Sequence, residues 1–541
     1  MYLKKLIIKN FRIFDEIGIE LIFNKGINAI IGENNSGKSS VIDALRIVFS
    51  TVTYKKDIFF SKSDFHVSED GTVADYAQFD VYLEDVPRRM TEIWNPQSES
   101  GMGGDFHIRF EKYIAPSGTE KVRSVYWGFG REGNLLSSDT FEATDIVFLG
   151  ALRNSENEMR PSRNSKLAQL LRNVVPGEEV RAELVQILSD ANNNLLEKEQ
   201  LKKTAVLGDM AIEKGGVYQN LLLVEEPEAH LHPQLQELVH NFLSDANKND
   251  SNIQIIYTSH SPTLASKIDI ENINLLYEYG HKKYCLPFSQ TNLTEENKKY
   301  LQRYLDVTKS QMFFARGILF VEGISEAILL PAMAKALDRP FEKYAVELVN
   351  VDSVAFAPFV NLLSSDKVNT CFSKVSIITD DDRCAKKNEK DYIDKNYDYD
   401  DISSEIVTNL QNGQPSDRCN DLTTLCSDAG INVFTAFKTL EYALCCSEDN
   451  IYHMIEALKK CYTDLGPKLE SKVGLLSQLS EKAACVWLFI RARDKCKGAV
   501  AQYISQVICD QHELKKKGEQ IEKEFVIPEY LKNAIYSVTE R

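Results

Sequence analysis

The sequence has neither an excess of basic residues nor a long apolar segment. Among its 541 residues, 63 lysines and arginines stand against 79 acidic residues, which gives a formal net charge of −16. Proteins that coat nucleic acid through bulk charge are usually basic, so the composition argues against that class while allowing a local basic groove. A membrane-spanning helix needs about 20 apolar residues, whereas the longest apolar runs are as short as Ala483–Ile490. We therefore expect no membrane as a partner.

Cysteine is absent before Cys285, and none of the eleven cysteines forms a CxxC pair. This pattern argues against a secreted disulfide framework and against a zinc site. The N-terminal segment MYLKKLIIKNFRIF alternates like a strand and lacks the apolar stretch and cleavage site of a signal peptide. The sequence therefore predicts a cytoplasmic protein with reduced thiols.

The chain shows no internal repeat and is long enough for roughly three or four domains. Apolar strands alternate with helical stretches, which is typical of an α/β fold. At about 155–205 leucines recur at helical spacing, so we predict a helical insertion there. The charged stretch Thr294–Lys309 precedes a fresh strand, which predicts a domain boundary near 305. The polar stretch Lys386–Asp421 is interpreted as a long surface insertion.

The strongest motif is the loop GENNSGKS, which matches GxxxxGK[ST] between an apolar strand, Ile27–Ile31, and an amphipathic helix, Ser39–Phe49. Its glycines let the loop wrap around phosphates with its amides pointing inward, and the helix N-terminus adds positive potential. Lys38 is expected to reach the β- and γ-phosphates, and Ser39 to ligate Mg²⁺. The predicted nucleotide-binding residues of the loop are Gly32, Asn35, Ser36, Gly37, Lys38, Ser39 and Ser40.

A phosphate-binding loop needs an acidic partner on a neighbouring strand. The apolar strand Asn220–Val224 runs into two carboxylates. We expect Glu225 to hold the water shell of Mg²⁺, and Glu226 to orient or deprotonate the attacking water. A further strand, Ile253–Tyr257, leads to His260, which could contact the γ-phosphate. The motifs together predict an ATP site.

Two later apolar strands also end in carboxylates. Glu322 follows the strand Ile318–Val321, and Glu326 lies one helical turn further on, so both acids can face one point. The second strand ends in three acids, and strand alternation is expected to put Asp380 and Asp382 on one side.

The middle acid of that run, Asp381, is expected to point away from its neighbours. The other carboxylates form the kind of oxygen-ligand set that Mg²⁺ or Mn²⁺ prefers. Two such metals about 4 Å apart could activate water and stabilise the leaving oxygen of a phosphodiester. The sequence therefore predicts a second phosphate-handling site.

The first set of motifs resembles the ABC-type ATPases of the SMC and RecF kind. The N-terminal pattern LxIxNFRxF and the string EEPExHLHP, Glu225–Pro233, are similar to the OLD (overcoming lysogenization defect) family. The resemblance implies that each ATP is closed by a signature loop of a second copy, and hence a homodimer or larger homo-oligomer. The nearest signature candidate, Lys214–Asn220, runs almost directly into the acidic strand, so ATP hydrolysis is expected to be slow or partner-dependent. Gln78 is the candidate Q-loop residue, and the segment ending at Arg153 also looks like the family.

The spacing of VEGxSE and DxD resembles the Toprim fold of topoisomerases, primases and OLD nucleases, with Glu347–Ser353 as its second strand. The resemblance implies that Glu441 assists metal binding and that Lys497 lies beside the scissile phosphate, where a fixed cation offsets transition-state charge. The expected catalytic residues are Glu322, Glu326, Asp380, Asp382, Lys497 and Glu226. The expected metal ligands are Glu322, Glu326, Asp380, Asp382, Glu441 and Ser39.

The chain is identified as a member of the OLD family with an α/β fold. An ABC/SMC-like ATPase domain is expected at 1–305, with the insertion at about 155–205 used for dimerisation, and a Toprim nuclease domain with a helical extension at 306–541. The resemblance implies a metal-dependent DNA endonuclease with the ATPase as sensor or gate. It further implies anti-phage defence, with DNA and a defence-system partner protein or retron nucleic acid as partners.

Three alternatives are left open. The chain could be a RecF- or SMC-like repair or recombination ATPase whose Toprim domain binds DNA without cutting it. It could be a topoisomerase or primase, although none of its 23 tyrosines lies in a recognisable nucleophile motif. It could also be a scaffold without catalytic activity that binds ATP in order to assemble with a partner.

Overall fold

The structure is a computed structural model that divides the chain into two units. It describes residues 1–50, 58–137, 143–150, 219–229, 231–249, 253–364, 374–383 and 397–540, together with Thr140. The N-terminal unit comprises Met1–Thr291 and Gln302–Phe314, and the C-terminal unit comprises Asn292–Leu301 and Ala315–Arg541. The helical insertion expected at about 155–205 lies outside the described residues.

The N-terminal unit is built mainly from strands. They are β1 (Tyr2–Lys9), β2 (Ile19–Ile22), β3 (Ile27–Gly32), β4 (Tyr76–Glu84), β5 (Trp94–Asn95), β6 (Gly103–Ile114), β7 (Glu120–Gly128), β8 (Thr144–Leu149), β9 (Gln219–Glu225), β10 (Ile253–Ser259), β11 (Ile273–Tyr279) and β12 (Lys282–Pro287). The helices described up to Pro287 are α1 (Lys38–Ser50), α2 (Pro233–Asn249) and α3 (Pro262–Ala265).

One sheet of this unit is antiparallel, with the strand order β2-β1-β4-β6-β5 and β7 paired to β6. Its core contains a set of phenylalanines that are at most 8% exposed: Phe11, Phe79, Phe106 and Phe110. Phe11 and Phe79 pack edge to face with ring centroids 5.2 Å apart, which is a favoured geometry for aromatic pairs. The N-terminal LxIxNFRxF pattern therefore belongs to the core of this sheet.

The second sheet carries the motifs and has the order β12-β11-β3-β10-β9-β8. Its strands pair in parallel, except for the antiparallel edge strand β12. Strands β9 and β10 are buried along nearly their whole length, as expected for a parallel sheet covered on both faces. Because parallel strands end at the same edge, the segments that follow β3, β9 and β10 meet there.

The C-terminal unit contains four strands, β13 (Gly317–Val321), β14 (Val346–Asn350), β15 (Lys374–Asp380) and β16 (Asn432–Ala436). The helices from Glu295 onward are α4 (Glu295–Tyr304), α5 (Ile324–Ala336), α6 (Phe341–Tyr344), α7 (Ala357–Leu363), α8 (Ser404–Asn412), α9 (Asp417–Asp428), α10 (Leu440–Leu444), α11 (Glu448–Cys461), α12 (Gly466–Gly474), α13 (Leu479–Arg491), α14 (Lys497–Lys516) and α15 (Glu529–Thr539).

The four strands of the C-terminal unit form a fully parallel sheet in the order β14-β13-β15-β16. Helix α15 packs against β13, β15 and β16, and α5 packs against α14. The predicted α/β fold is confirmed, and the strands expected at Ile27–Ile31, Asn220–Val224, Ile253–Tyr257 and Ile318–Val321 are observed within two residues. None of the helices in the described part of the chain is long and apolar enough to cross a membrane.

Candidate functional site

The phosphate-binding loop connects β3 to α1 and depends on two glycines in the left-handed region. Gly32 has φ 152° and Gly37 has φ 107°. A Cβ atom at Gly32 would lie 2.2 Å from the carbonyl oxygen of Leu276, and one at Gly37 would lie 2.6 Å from Cζ of Phe14. Only glycine avoids both the clash and the strain at these positions. Phe14 thus links the N-terminal pattern to the loop.

Lys38 and the neighbouring serines have the arrangement expected of a nucleotide site. The Nζ atom of Lys38 donates to the carbonyl oxygens of Gly32 at 2.7 Å and Glu33 at 2.8 Å. Burial lowers the pKa of Lys38, and the charges of nearby acids oppose that effect. The hydroxyl of Ser36 is buried without a hydrogen-bond partner among the described residues, and a phosphate oxygen could supply one. Ser39 is exposed at the start of α1.

The remaining loop residues lie where the motif predicts. Asn35 has φ 64° in the loop, and Ser40 is half-buried in the first turn of α1. The residue types and the helix N-terminus fit the phosphates of ATP, so the nucleotide-binding set is retained as a prediction.

The acidic strand β9 brings Glu225 and Glu226 to the same edge as the loop. Glu225 is the last residue of β9 and pairs in register with Thr258 of β10. Glu226 follows with φ 46°, and its amide donates to the carbonyl oxygen of Thr258 at 3.1 Å and to its hydroxyl at 3.2 Å. The charge of Glu226 is among those that oppose the lowering of the pKa of Lys38, so the two groups share one electrostatic environment.

Glu228 is a residue of this site that the sequence analysis missed. Its side chain is 3% exposed, and its Oε1 atom accepts from the hydroxyl of Ser259 at 2.8 Å and from the amide of His260 at 2.8 Å. The Nδ1 atom of His260 lies 3.2 Å from Glu228 Oε1 and 3.7 Å from Glu226 Oε1. Burial raises the pKa of Glu228. The third Glu of the EEPE string was its only signal in the sequence.

Two other parts of the N-terminal unit bear on the predictions. Gln78 lies within β4, where it donates to Asp80 and accepts from Arg109, so the structure ties this side chain into the antiparallel sheet. Of the signature candidate, only its last two residues are described, as the start of β9. Its preceding residues, like Arg153, lie outside the described part.

His107 forms a buried charged centre in the antiparallel sheet. Its Nδ1 atom lies 2.6 Å from Asp80 Oδ1, and its Nε2 atom lies 3.1 Å from Asp105 Oδ2. Burial lowers the pKa of His107, but the hydrogen bonds and charges of the two aspartates outweigh this and raise it to about 9. The ring stacks on Trp127 with centroids 5.3 Å apart. The imidazolium thus stabilises the sheet.

The acids of the C-terminal unit meet at the carboxyl edge of its parallel sheet. Glu322 follows β13, Asp380 ends β15, and Glu441 lies in α10 just after β16. Glu326 is buried in the first turn of α5, and burial, together with repulsion from Glu441 and Glu322, raises its pKa to about 7. The four carboxylates therefore form one electrostatically coupled group, which we call the acidic cluster together with Asp382.

Asp380 is the most strongly perturbed member of the acidic cluster. Burial and the charges of Glu322, Glu441 and Glu326 raise its pKa well above its usual value. Its Oδ1 atom accepts from the amide of Leu440 at 2.9 Å. A buried carboxylate among like charges has a high affinity for a cation or a proton.

The run Asp380–Asp382 divides its side chains between two sides. Asp381 is 2% exposed and binds Arg383 and the amide of Lys438, whereas Asp382 contacts Arg418. Asp382 lies beyond the end of β15 and has φ 44°. Its direction is therefore set by a left-handed backbone rather than by the strand alternation that the sequence analysis assumed.

Arg418 is the second residue that the sequence analysis missed. Its Nη1 atom donates to Glu322 Oε1 at 3.0 Å, and its Nη2 atom donates to Asp382 Oδ2 at 2.7 Å and to the carbonyl oxygen of Asp380 at 3.1 Å. It lies in the stretch Lys386–Asp421 that was interpreted as a surface insertion. That interpretation is wrong for this residue, because α9 brings it into the acidic cluster.

The side chains of the acidic cluster are of the type that binds a divalent cation. Their positions in this structure do not bring enough of them together to coordinate one. Within the described ranges, no group of three or more His, Cys, Asp or Glu side chains is placed to hold a metal ion. All donors are carboxylate oxygens, which Mg²⁺ and Mn²⁺ prefer. The buried hydroxyl of Tyr530 has no hydrogen-bond partner among the described residues, and burial, with the charges of Asp380, Glu326 and Glu441, raises its pKa. The metal-ligand set therefore stays a prediction.

Lys497 lies beside Glu441 in the acidic cluster. Its Nζ atom is 3.3 Å from Glu441 Oε1, so the two residues that the Toprim resemblance singled out are in contact. A cleft of about 170 Å³ opens beside them. The cleft is lined by Asp382, Lys438, Thr439, Glu441, Trp487, Ile490, Arg491 and Lys497. The lining combines two acidic side chains with three basic ones, and the basic side chains could bind a phosphate group.

Comparisons with known proteins identify the domains. Residues 5–214 match the model of an AAA domain, and residues 200–265 match that of an AAA ATPase domain. Residues 313–382 match the Toprim domain of overcoming lysogenization defect protein-like sequences. The predicted pairing of an ATPase domain with an OLD-like Toprim domain is confirmed.

Two curated relatives have similar sequences. Endonuclease GajA of Bacillus cereus is 30% identical over 230 residues, which cover 38% of this chain and 32% of the relative. OLD nuclease of Thermus scotoductus is 22% identical over 405 residues, which cover 60% of this chain and 72% of the relative. The chain thus spans about a third of the first relative and nearly three quarters of the second.

Two groups of solved structures also match. The SMC head domain from Thermotoga maritima covers 53% of this chain at 15% identity, with a TM-score of 0.33 and 99% of that structure covered. The C-terminal region of the Burkholderia pseudomallei OLD protein covers 42% of this chain at 20% identity, with a TM-score of 0.27 and 97% of that structure covered.

Proposed function

Because the chain joins an AAA-type ATPase domain to an OLD-like Toprim domain and is homologous to OLD nuclease and to endonuclease GajA, we propose that it is an ATP-binding, divalent-metal-dependent DNA endonuclease. The ATPase domain, expected at 1–305, acts as a sensor or gate for the Toprim nuclease domain, expected at 306–541. The substrate bond is a phosphodiester of DNA, which is nicked or cleaved.

The observation that carries this proposal is the acidic cluster at the ends of parallel strands. Burial and mutual repulsion raise the pKa of Glu326 to about 7 and raise that of Asp380 well above its usual value. Such strain between like charges is stored at functional sites and is relieved by a cation. Glu322, Glu326, Asp380, Asp382 and Glu441 would hold Mg²⁺ or Mn²⁺, which supplies an activated water and stabilises the leaving oxygen when bound.

Lys497 has a separate role in the proposed reaction. Its ammonium group lies against Glu441, and its side chain lines the cleft and is 39% exposed, so it can meet a phosphate from solvent. A fixed cation there orients the scissile phosphate and offsets the charge that develops in the transition state. Lys497 therefore contributes to cleavage without being a metal ligand.

The nucleotide site supports ATP as the ligand of the first domain. Lys38 would exchange its contacts with two loop carbonyls for the β- and γ-phosphates, and Ser39 would ligate Mg²⁺. Glu226, held at φ 46° next to His260, would orient the attacking water, with Glu225 on the water shell of the metal. Hydrolysis is proposed to be slow or dependent on a partner.

The test is a cleavage assay on supercoiled, linear and single-stranded DNA with Mg²⁺ or Mn²⁺, with and without ATP. Wild type is compared with Lys38→Ala, Asp382→Ala and a surface control, Lys516→Ala, whose residue pairs with Glu513 on the surface. We expect cleavage that requires metal, disappears in Asp382→Ala, persists in the control and responds differently to ATP in Lys38→Ala. Absence of cleavage by wild type under all of these conditions would rule out an autonomous nuclease.

The wider role is proposed from the resemblance to the OLD family. We propose that the protein acts in the cytoplasm in anti-phage defence as a homodimer or larger homo-oligomer, together with a defence-system protein or retron nucleic acid. Protection of host cells against phage infection, lost in Asp382→Ala, tests this role. The rival function is a RecF- or SMC-like repair ATPase whose Toprim domain only binds DNA. If the Glu322→Ala or Asp380→Ala variant kept the full activity of the wild-type protein in cells, that rival would be favoured.

A further inference from the structure

Arg418 is placed among the carboxylates that are proposed to hold metal. We propose that Arg418 is an internal counter-ion that blocks the acidic cluster, and that its guanidinium must leave Glu322 and Asp382 before a divalent cation can bind. This inference rests on the proposed nuclease function, because it concerns the regulation of the same site.

The guanidinium of Arg418 contacts the acidic cluster in the way that a bound cation would. One side chain bridges carboxylates from two different strand ends, at 3.0 Å to Glu322 and 2.7 Å to Asp382, and also reaches the carbonyl oxygen of Asp380 at 3.1 Å. The planar fork of arginine satisfies two acceptors at once, which makes such contacts specific as well as strong. The guanidinium therefore binds the oxygens that the proposed metal would need.

The local structure keeps Arg418 in this place. It lies in the first turn of α9, whose N-cap residue Ser416 accepts from the amide of Cys419 at 3.3 Å. The amide of Ser416 donates to the carbonyl oxygen of Asp381 at 2.9 Å, so the start of α9 is tied to the acidic run itself. The backbone around Arg418 therefore holds its side chain close to Asp382.

The block is reversible because it lies on the open side of the acidic cluster. The side chain of Asp382 is 46% exposed and that of Arg418 is 28% exposed, whereas Asp380 and Glu326 lie deeper. A rotation of the arginine side chain can release both carboxylates without unfolding α9. The deeper acids then face a cation that enters from solvent.

The charges explain why the acidic cluster cannot bind Arg418 and a divalent cation at the same time. A divalent cation and a guanidinium repel when they share the same carboxylates, so binding of one lowers the affinity for the other. Arg418 also accounts for the fact that the described carboxylates are coupled in charge but do not form a closed ligand set. It would thus set a threshold of metal concentration below which the nuclease stays inactive.

The experiment measures Mn²⁺ affinity by the loss of the electron paramagnetic resonance signal of free Mn²⁺, without nucleotide or DNA. All proteins are full-length and carry Ser39→Ala, which removes the expected metal ligand of the nucleotide site. We expect Arg418→Ala to bind Mn²⁺ at least about fivefold more tightly than its parent, within the range of typical coupling between sites. Arg418→Lys, which keeps a charge but lacks the fork, should be intermediate and serves if the alanine variant does not fold.

Two further variants locate the effect. Arg383→Ala removes the arginine that binds Asp381 on the other side of the same run, and it should change Mn²⁺ affinity much less than Arg418→Ala does. Asp382→Asn should weaken binding. In EDTA the melting temperature of Arg418→Ala should fall below that of the parent, since the acids lose their counter-ion, and saturating Mn²⁺ should raise it by more than it raises the parent.

The outcomes separate this inference from the proposed function. Tighter binding in Arg418→Ala supports the block. Equal or weaker binding, with Asp382→Asn still weakened, overturns the block and leaves the nuclease proposal standing. That result, combined with poorer DNA binding in Arg418→Ala, would make Arg418 a phosphate contact instead. No saturable Mn²⁺ binding in any of the proteins overturns both proposals.

Discussion

Glu226 and Asp382 share an unusual backbone conformation at equivalent places in two different sheets. Each follows the carboxyl end of a parallel strand, β9 or β15, and each has positive φ, 46° and 44° respectively. The left-handed conformation costs a non-glycine residue about 1–2 kcal/mol. Strain of this kind persists where the direction of a side chain matters more than stability. Two of the six residues expected to be catalytic therefore have a left-handed backbone.

This strain predicts that two substitutions at Asp382 have the same effect on cleavage but different effects on stability. Asp382→Gly and Asp382→Ala should both abolish DNA cleavage, because both remove the carboxylate. Glycine adopts φ 44° without the steric cost that alanine has there, so Asp382→Gly should be more stable than Asp382→Ala by about 1 kcal/mol. Chemical denaturation of the two variants in EDTA measures the difference. Equal stabilities would show that the position is not strained.

Glu228 is predicted to position His260 for ATP hydrolysis. Because Glu228 Oε1 accepts from the amide of His260 and from Ser259, Glu228→Ala should lower the rate of hydrolysis about 10- to 100-fold, the usual effect of losing such a supporting contact. ATP affinity, measured with a fluorescent analogue, should change little.

Two controls make that prediction specific. Glu228→Gln keeps an oxygen acceptor and should retain much more activity than Glu228→Ala. Glu237→Ala removes an acid that pairs with Lys267 on the surface of α2, and should behave as wild type. If Glu228→Ala instead loses ATP binding and hydrolysis together, its role is in the stability of the site.

Lys38 is predicted to be required for nucleotide binding. Charge-assisted hydrogen bonds contribute about 1.5–3 kcal/mol each, so Lys38→Ala should weaken ATP binding by about 10-fold or more. Lys62→Ala, which removes a surface lysine near Glu120, is the matched control. Titration with a fluorescent ATP analogue measures both. Unchanged affinity in Lys38→Ala would contradict the assignment of the loop.

The pKa of His107 predicts how stability depends on pH. Asp105 and Asp80 raise the folded-state pKa to about 9 from an ordinary value of 6.5, so the folded protein holds the proton more tightly. The resulting stabilisation is fully present below about pH 6.5 and is lost as the pH rises through about 9. Because solvent partly screens the group, the shift corresponds to a free energy of at most about 3 kcal/mol.

The measurement compares the free energy of unfolding of wild type and His107→Asn between pH 6 and 10. The difference should shrink as the pH rises, whereas His281→Asn, which removes an 84%-exposed histidine, should follow wild type throughout. Hydrogen bonds from His107 also lower the pKa of Asp80, so its contribution is lost at the acid end, as the pH falls. A constant difference across this range would mean that His107 is neutral in the folded protein.

Features that depend on local pattern were predictable from the sequence. The strand, loop and helix around the GENNSGKS motif and the strands that lead to Glu225, Glu322 and Asp380 are observed as predicted, because these patterns are encoded within a few consecutive residues. Once the strands pair in parallel, their carboxyl ends lie at one edge of the sheet, so no other feature of the sequence is needed to predict that these residues lie near one another. The contact between Lys497 and Glu441 came instead from family resemblance.

Features that depend on distant partners were not predictable. Arg418 is 96 residues from Glu322 in the chain, and nothing in its polar surroundings indicates that contact. Glu228 lies within a recognised string, but only the packing of β9 against β10 turns its carboxylate toward His260. The conformation of Asp382 depends on a backbone angle that strand alternation does not describe.

The long-range pairing in the N-terminal unit has a consequence for synthesis of the protein on the ribosome. Gln254 accepts from the amide of Leu3 at 2.9 Å and donates to its carbonyl oxygen at 2.8 Å, across 251 residues of chain. At translation rates of about 5–20 residues per second, the first strand waits on the order of 10–50 s for this partner. During that time strand β3 also lacks its partners β10 and β11. We therefore expect the growing polypeptide to need chaperones, and a lower growth temperature to improve its yield.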